Sequence, residues 1–399
     1  MNQILQNLKP SSTLELNQLA KSMAASGKSI VNLTAGEPDF NTPERIQKAA
    51  QVAMKEGKTK YTHTSGIVEL RTVVRDLVKK QYNRDYALDE ILVCNGGKQA
   101  IFNICYSLLN PGDQVILPSP CWVSYESMVE MVGATPILIP SGIEKNFEPD
   151  LAAIESRITP KTKLIIINSP NNPSGAVFSQ AFFHRLEELI RKHPQLYVLT
   201  DDIYDKFVYD DQKFYSIAMS PNIPKERLII VAGVSKSYSM TGWRVGYAIG
   251  PKELINIAAN VQSQTTSSVS SISQWAALEA LKGSTDEEIK EFLTLFQKRR
   301  DIAYDSISKI KNVKCLKPAG AFYILPNIES FLGKTTGNGK KIHTDSDLAY
   351  YLLEEVGLAT VPGSSFGLPG YLRFSFVVPF DIWSEGMKRF ETGLLSLKE

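Results

Sequence analysis

With 399 residues, 43% of them hydrophobic, the chain is long enough to bury two or three cores. Its 44 Lys and Arg against 42 Asp and Glu leave a net charge of +2, and no charge run draws nucleic acid or a membrane surface. Small-molecule partners are therefore expected. Cys94, Cys105, Cys121 and Cys315 stand singly without CxxC spacing, and His63, His184, His193 and His343 have no second ligand at metal spacing. That pattern argues against a zinc site and predicts reduced thiols. The first residues lack a basic segment followed by a long apolar one, and no run of about eighteen apolar residues occurs, so the cytoplasm is the expected compartment.

In chain order, Thr42-Pro43-Glu44 predicts a helix start, with Thr42 capping the free amides and Ile46, Ala49, Ala50, Ala53 and Met54 forming one apolar stripe up to Gly57. Val73, Val74, Leu77 and Val78 mark a second helix. Strand-length apolar runs follow at 91–94, 114–118, 136–139, 163–168, 196–200, 227–231 and 245–250, several of them β-branched. Helical segments at 98–109, 121–132 and 179–192 separate most of them, which predicts βαβ units and a mainly parallel sheet flanked by helices. From about 285 the character changes to a long charged helix, a strand AFYILP, a helix at 345–356 and strands LATVP and LRFSF, the pattern of a smaller α+β domain. The stretch GKTTGNGKK at 333–341 lacks P-loop spacing and is expected to be an exposed loop.

Ligands in open parallel sheets bind beyond the carboxyl ends of the strands, which directs attention to four loops. Gly96-Gly97 opens a helix, where backbone amides can approach a phosphate, although a glycine pair is more often only a tight turn. Asn168 to Gly175 (NSPNNPSG) is dense in turn formers and side-chain amides. Asp201 and Asp202 both follow a strand, and either could simply cap the next turn. Lys236 sits in a small-residue loop after a buried strand, with Arg244 eight residues on; desolvation there would lower the lysine's pKa toward a nucleophilic amine. Together these loops offer what pyridoxal phosphate requires: a Schiff-base lysine, an anion cradle, an acid for the pyridine nitrogen, and donors for the ring oxygen.

The ordered motifs GEPDF, KYT, GGKQA, CWVSY, NSPNNPSGAV, DDIY, SKSYSMTGWRVGY, GAFY, VPGSSFG and LRFSF run over nearly the whole chain. In this order they resemble the class I and II aminotransferases of the aspartate aminotransferase fold, most closely the prokaryotic-type aspartate enzymes. The resemblance implies a large cofactor domain at 45–285, a small domain from 1–44 and 286–399, and a homodimer with active sites at the subunit interface. It makes Lys236 the cofactor lysine and general base. Asp201, three residues before Tyr204, becomes the partner of the pyridine nitrogen in preference to Asp202. Tyr204 and Asn172 would hydrogen-bond the ring oxygen, and Trp122 would stack on the ring. Arg244, Ser235, Gly96 and Gly97 would hold the phosphate, with Tyr61 reaching it from the other subunit. Arg373 would pair with the substrate α-carboxylate in the planar geometry a guanidinium provides, helped by the Gly36 backbone amide.

Lys98 and Thr13 fall where the prokaryotic-type aspartate enzymes recognise the distal carboxylate, which points to aspartate and 2-oxoglutarate; Lys98 on the phosphate is the alternative assignment. Aromatic, branched-chain or prephenate-like substrates would use the same chemistry with a different side-chain pocket. A lyase or decarboxylase would use the same lysine. A non-catalytic regulatory module would need a DNA-binding segment, for which the residues before 33 leave no room.

Overall fold

The computed structural model describes residues 5, 6, 8, 10 and 12–399, with only the backbone described for residues 12–14. Among these residues the apolar runs become twelve strands: β1 (Val31–Asn32), β2 (Ile91–Cys94), β3 (Gln114–Ser119), β4 (Thr135–Pro140), β5 (Thr162–Asn168), β6 (Tyr197–Asp201), β7 (Leu228–Gly233), β8 (Gly246–Ile249), β9 (Tyr323–Ile324), β10 (Leu358–Ala359), β11 (Val361–Pro362) and β12 (Leu372–Ser375). Seven of them form one sheet in the order β2-β8-β7-β6-β5-β3-β4. Neighbours from β7 through β4 are parallel, whereas β8 runs antiparallel to both β2 and β7. The reversed β8 therefore begins at the edge where the other six strands end.

Both faces of this sheet are covered, which is why its strands read as continuous apolar runs instead of alternating ones. Side chains still alternate: Ile165 and Ile167 of β5 enter one buried cluster, Leu164 and Ile166 the other. Each such fully buried Ile or Leu contributes about 2 kcal/mol of transfer free energy. A separate aromatic-rich cluster, including Phe296, Phe322, Phe374, Trp383 and Phe390, surrounds the antiparallel sheet β11-β12-β9. The N-terminal segment joins it, because β1 pairs in parallel with β10.

Several predicted elements are sharpened or corrected. The second helix runs Val68–Tyr82, well beyond its apolar stripe, and the segment expected to be helical at 121–132 is helical only over Ser124–Met131. Thr42 does not cap the first predicted helix: Pro43 occupies that position, and the Thr42 hydroxyl instead donates to the Ser239 carbonyl at 2.6 Å. LATVP breaks into β10 and β11, and AFYILP keeps strand geometry only at β9. The helices Ser12–Ala25, Lys252–Thr265, Ser271–Leu281 and Phe380–Leu395 were not foreseen. In Ser271–Leu281 the buried Gln274, Ala276, Ala277, Leu278, Ala280 and Leu281 encircle the axis, so no one-sided stripe announces it. Among the described residues no helix is long and apolar enough to cross a membrane.

Candidate active site

The carboxyl ends of β2, β3, β5, β6 and β7 and the start of β8 border a cleft of about 390 Å³, a volume typical of small-molecule sites. Neighbouring strands bring Asp201 and Lys236 to one cleft. Asp201 ends β6 opposite Val231 of β7, and Lys236 follows β7 by three residues; both side chains line this cleft. Lys236 Nζ donates to the Gly36 carbonyl at 2.6 Å. Burial pushes its pKa down to about 8, opposed by Glu37 and Asp201 and reinforced by Arg244 and Arg373.

Side-chain alternation separates the adjacent acids. Asp201 accepts from the Tyr125 hydroxyl at 2.6 Å and the Ile203 amide at 3.3 Å; burial raises its pKa to about 6 against these bonds and the Lys236 charge. Asp202 does not line the cleft and is held by Thr200 Oγ1 at 2.6 Å and the Tyr82 hydroxyl at 2.9 Å, with burial raising its pKa to about 7. Of the two acids, Asp201 is the one that lines the cleft.

Of the glycine pair, Gly97 lines the cleft and Gly96 adjoins it. Gly96, at φ +86°, precedes the helix Gly97–Leu108, and a side chain there would come within 2.6 Å of Arg244 Nη2. Arg244 is near because it lies two residues before the reversed strand; its guanidinium donates to the Thr241 carbonyl at 2.9 Å and the Asn95 carbonyl at 3.2 Å. Ser235 and Lys98 also line the cleft, with Lys98 Nζ 5.0 Å from the centre of the half-buried Trp122 ring. Burial and the Arg244 charge lower the Lys98 pKa. Neither Lys98 nor Arg244 has a carboxylate partner within ion-pair distance among the described residues.

Arg373 enters from the other side, on β12. It is only 3% exposed; its Nη1 donates to Asn172 Oδ1 at 3.0 Å and its Nη2 to the Thr34 carbonyl at 2.8 Å. Tyr323 and Phe366 flank the guanidinium, with ring centres 4.5 and 5.0 Å from its carbon. Its Nε has no partner, and no acid pairs with it among the described residues. Leaving a buried cation without a counter-ion costs several kcal/mol, so a bound anion would stabilise it. The bond to Arg373 also fixes the Asn172 amide so that its nitrogen is the half left to donate.

Tyr204 lines the cleft, with burial holding its pKa well above the ordinary value. Gly36 lines it too, and a side chain there would meet only the Tyr323 hydroxyl at 3.6 Å. Tyr61 is not brought to this cleft: it is 94% exposed, on a segment anchored by Gln262 to the Thr64 carbonyl at 2.9 Å and by Gln274 to Thr62 at 3.0 Å. The Thr13 side chain lies outside the described residues. None of residues 333–341 lines the cleft.

Sequence reasoning gave no role to Tyr125, Thr34 or Tyr323, and none to Asn168 within its amide-rich loop. Asn168 donates to the Asp201 carbonyl at 2.8 Å and accepts from the Asn172 amide at 3.0 Å, locking two loops together. Tyr125 and Tyr323 lie within the quoted motifs CWVSY and GAFY, but an aromatic there reads as core until its hydroxyl partner is seen.

The class I and II aminotransferase family matches residues 28–379. A probable aspartate/prephenate aminotransferase of Rickettsia felis is 44% identical over 396 residues, covering 99% of this chain and 97% of the relative. The crystal structure of the Rhizobium meliloti aspartate aminotransferase superposes with a TM-score of 0.95 at 41% identity, covering 100% of this chain and 99% of that one. The Thermus thermophilus aspartate aminotransferase with maleate gives 0.91 at 36% identity, covering 98% and 99%. Among the described residues, the unpartnered Arg373 Nε, the glycine-lined helix start with two unpaired cations, the donors Asn172 and Tyr204 and the acceptor Asp201 fit a phosphorylated pyridine and an amino acid carboxylate. The chain belongs to the class I and II aminotransferases and is a pyridoxal-phosphate-dependent transaminase.

Proposed function

We propose that this transaminase moves an amino group between L-aspartate and 2-oxoglutarate, forming oxaloacetate and L-glutamate in two alternating half-reactions. The transaminase chemistry is carried by the buried Arg373, without an acidic partner among the described residues, facing the same cleft as a lysine whose pKa is lowered to about 8. The dicarboxylate choice is carried by Lys98 in that cleft. Pyridoxal phosphate, when bound, supplies an electron-withdrawing ring that accommodates the charge left when the substrate Cα loses its proton. Lys236 would hold the cofactor covalently and, once displaced by the substrate amine, take the Cα proton as general base. Asp201, oriented by Tyr125, would keep the pyridine nitrogen protonated. Tyr204 and Asn172 would donate to the ring oxygen, and Trp122 would cover the ring face. Gly96, Gly97, Ser235 and Arg244 would bind the phosphate, while Arg373 and the Gly36 amide would hold the α-carboxylate.

The distal carboxylate is assigned to Lys98 and Thr13. The unpaired Lys98 ammonium beside Trp122 supports this reading, as does the Thermus thermophilus relative solved with maleate, itself a dicarboxylate. The name of the Rickettsia felis relative favours a second reading in which prephenate is also an amino acceptor. Comparing kcat/KM for aspartate, phenylalanine and prephenate, with glutamate or 2-oxoglutarate as the other partner, tests both. A large preference for phenylalanine over aspartate would refute the dicarboxylate assignment.

The two separate cores and the β1–β10 pairing support a large unit at 45–285 and a small one from 1–44 and 286–399. The exposed Tyr61 on its anchored segment supports a homodimer in which it reaches the partner's phosphate end. The four unpaired cysteines support a reducing cytoplasmic setting.

A further inference from the structure

Tyr323 is 1% exposed and lies on β9, beside the strand that carries Arg373. Its hydroxyl faces that of Tyr204 at 3.1 Å, with the rings nearly perpendicular at 85°. Among the described residues neither hydroxyl has another hydrogen-bond partner, and neither is left unsatisfied. Each hydroxyl carries one proton, so within the pair only one can donate to the other. On the reading above, the Tyr204 proton is committed to the cofactor's ring oxygen. The proton between the two oxygens must then come from Tyr323.

We propose that Tyr323 is a positioning residue that donates its hydroxyl proton to the Tyr204 oxygen, making Tyr204 a stronger hydrogen-bond donor to the cofactor's ring oxygen. Hydrogen bonds in a chain polarise one another, most of all where water is excluded, and both side chains here are buried. The same ring lies against the Arg373 guanidinium, so it joins the cofactor-binding and carboxylate-binding ends of the cleft. Nothing covalent changes: a hydroxyl proton is shared between two phenol oxygens.

This inference rests on the cofactor reading, and its test separates the two. The readout is the pH midpoint of the visible absorbance of the cofactor-loaded enzyme without substrate. Wild type must first show that band, and Lys236→Ala must lose its pH dependence; if that fails, the lysine assignment is at fault and not the tyrosine pair. Tyr323→Phe keeps the ring and its packing on Arg373 and is expected to raise the midpoint by roughly half a pH unit, the size of one neutral hydrogen bond felt through another. In a Tyr204→Phe background the same substitution is expected to change nothing, because its route is gone. An unchanged midpoint in Tyr323→Phe would overturn the proposal, as would an equal shift in both backgrounds. A raised KM for aspartate with an unmoved midpoint would also overturn it, assigning the hydroxyl to the substrate carboxylate.

Discussion

The two walls of the cleft are built differently. The wall that would hold the cofactor consists of strand-end loops on one edge of the seven-stranded sheet: Gly96-Gly97 after β2, Asn172 after β5, Asp201 at the end of β6, Lys236 after β7 and Arg244 before β8. Parallel topology alone brings these loops together, since every parallel strand ends at the same edge and the one reversed strand begins there. The wall that would hold the substrate carboxylate has no such common origin. Arg373 comes from a three-stranded antiparallel sheet, its supporting Thr34 carbonyl from near the chain start, and Asn172 bonds to it across the cleft. One wall is set by strand order, the other by tertiary packing between separate cores.

The contrast predicts different failures on the two sides. On the sheet-edge wall, Lys236→Ala would remove the proposed base and is expected to lower kcat by at least about a thousandfold, measured as glutamate formation from 2-oxoglutarate. Asp201→Asn is expected to reduce kcat by roughly a hundredfold, whereas Asp202→Asn, on the other face of the same strand end, should leave it within about threefold. Asp202→Asn should act on stability instead, losing about 1 kcal/mol of hydrogen bonding to Thr200 or Tyr82, seen as a fall of roughly 2 °C in Tm. Equal effects of the two substitutions on kcat would break the assignment of faces.

On the packing-built wall, Arg373→Lys retains the charge but loses the planar fork. It should raise the KM for aspartate about thirtyfold with a smaller effect on kcat. Lys98→Ala should raise the KM for aspartate about tenfold and leave that for phenylalanine unchanged. A fall in cofactor affinity instead would move Lys98 to the phosphate.

The same lysine predicts a pH dependence of the cofactor-free protein. The Lys236 amine, with its pKa lowered to about 8, is mostly an unreactive ammonium below that pH and free above it. Capture of pyridoxal phosphate should therefore accelerate about tenfold per pH unit up to roughly pH 8 and then level off. An unburied lysine would keep accelerating toward pH 10.

The difference between the walls also explains what could be read from the sequence. Lys236, Asp201, Asn172 and the Gly96-Gly97 turn were legible because each follows a strand-length apolar run, and the motif order supplied roles for them. The direction of β8 was not written in its composition, yet it decides why Arg244 reaches the glycine turn. Tyr125 and Tyr323 were illegible as polar groups, since a buried tyrosine ring looks like core and only the partner of its hydroxyl shows otherwise. Thr42 was read as a local cap because local hydrogen bonding is all a sequence window reveals; its actual partner, Ser239, is 197 residues away. Gln262 and Gln274 carry the segment next to Tyr61 from within helices, a role with no local signature.

The convergence of Lys236 and Asp201 on one bound ring is tested most directly by trapping the cofactor. Borohydride reduction of the loaded protein followed by peptide mapping should place the label on a single peptide containing Lys236, with none retained in Lys236→Ala. Label on any other lysine, or a labelled Lys236 whose bound cofactor is spectroscopically indifferent to Asp201→Asn, would contradict it.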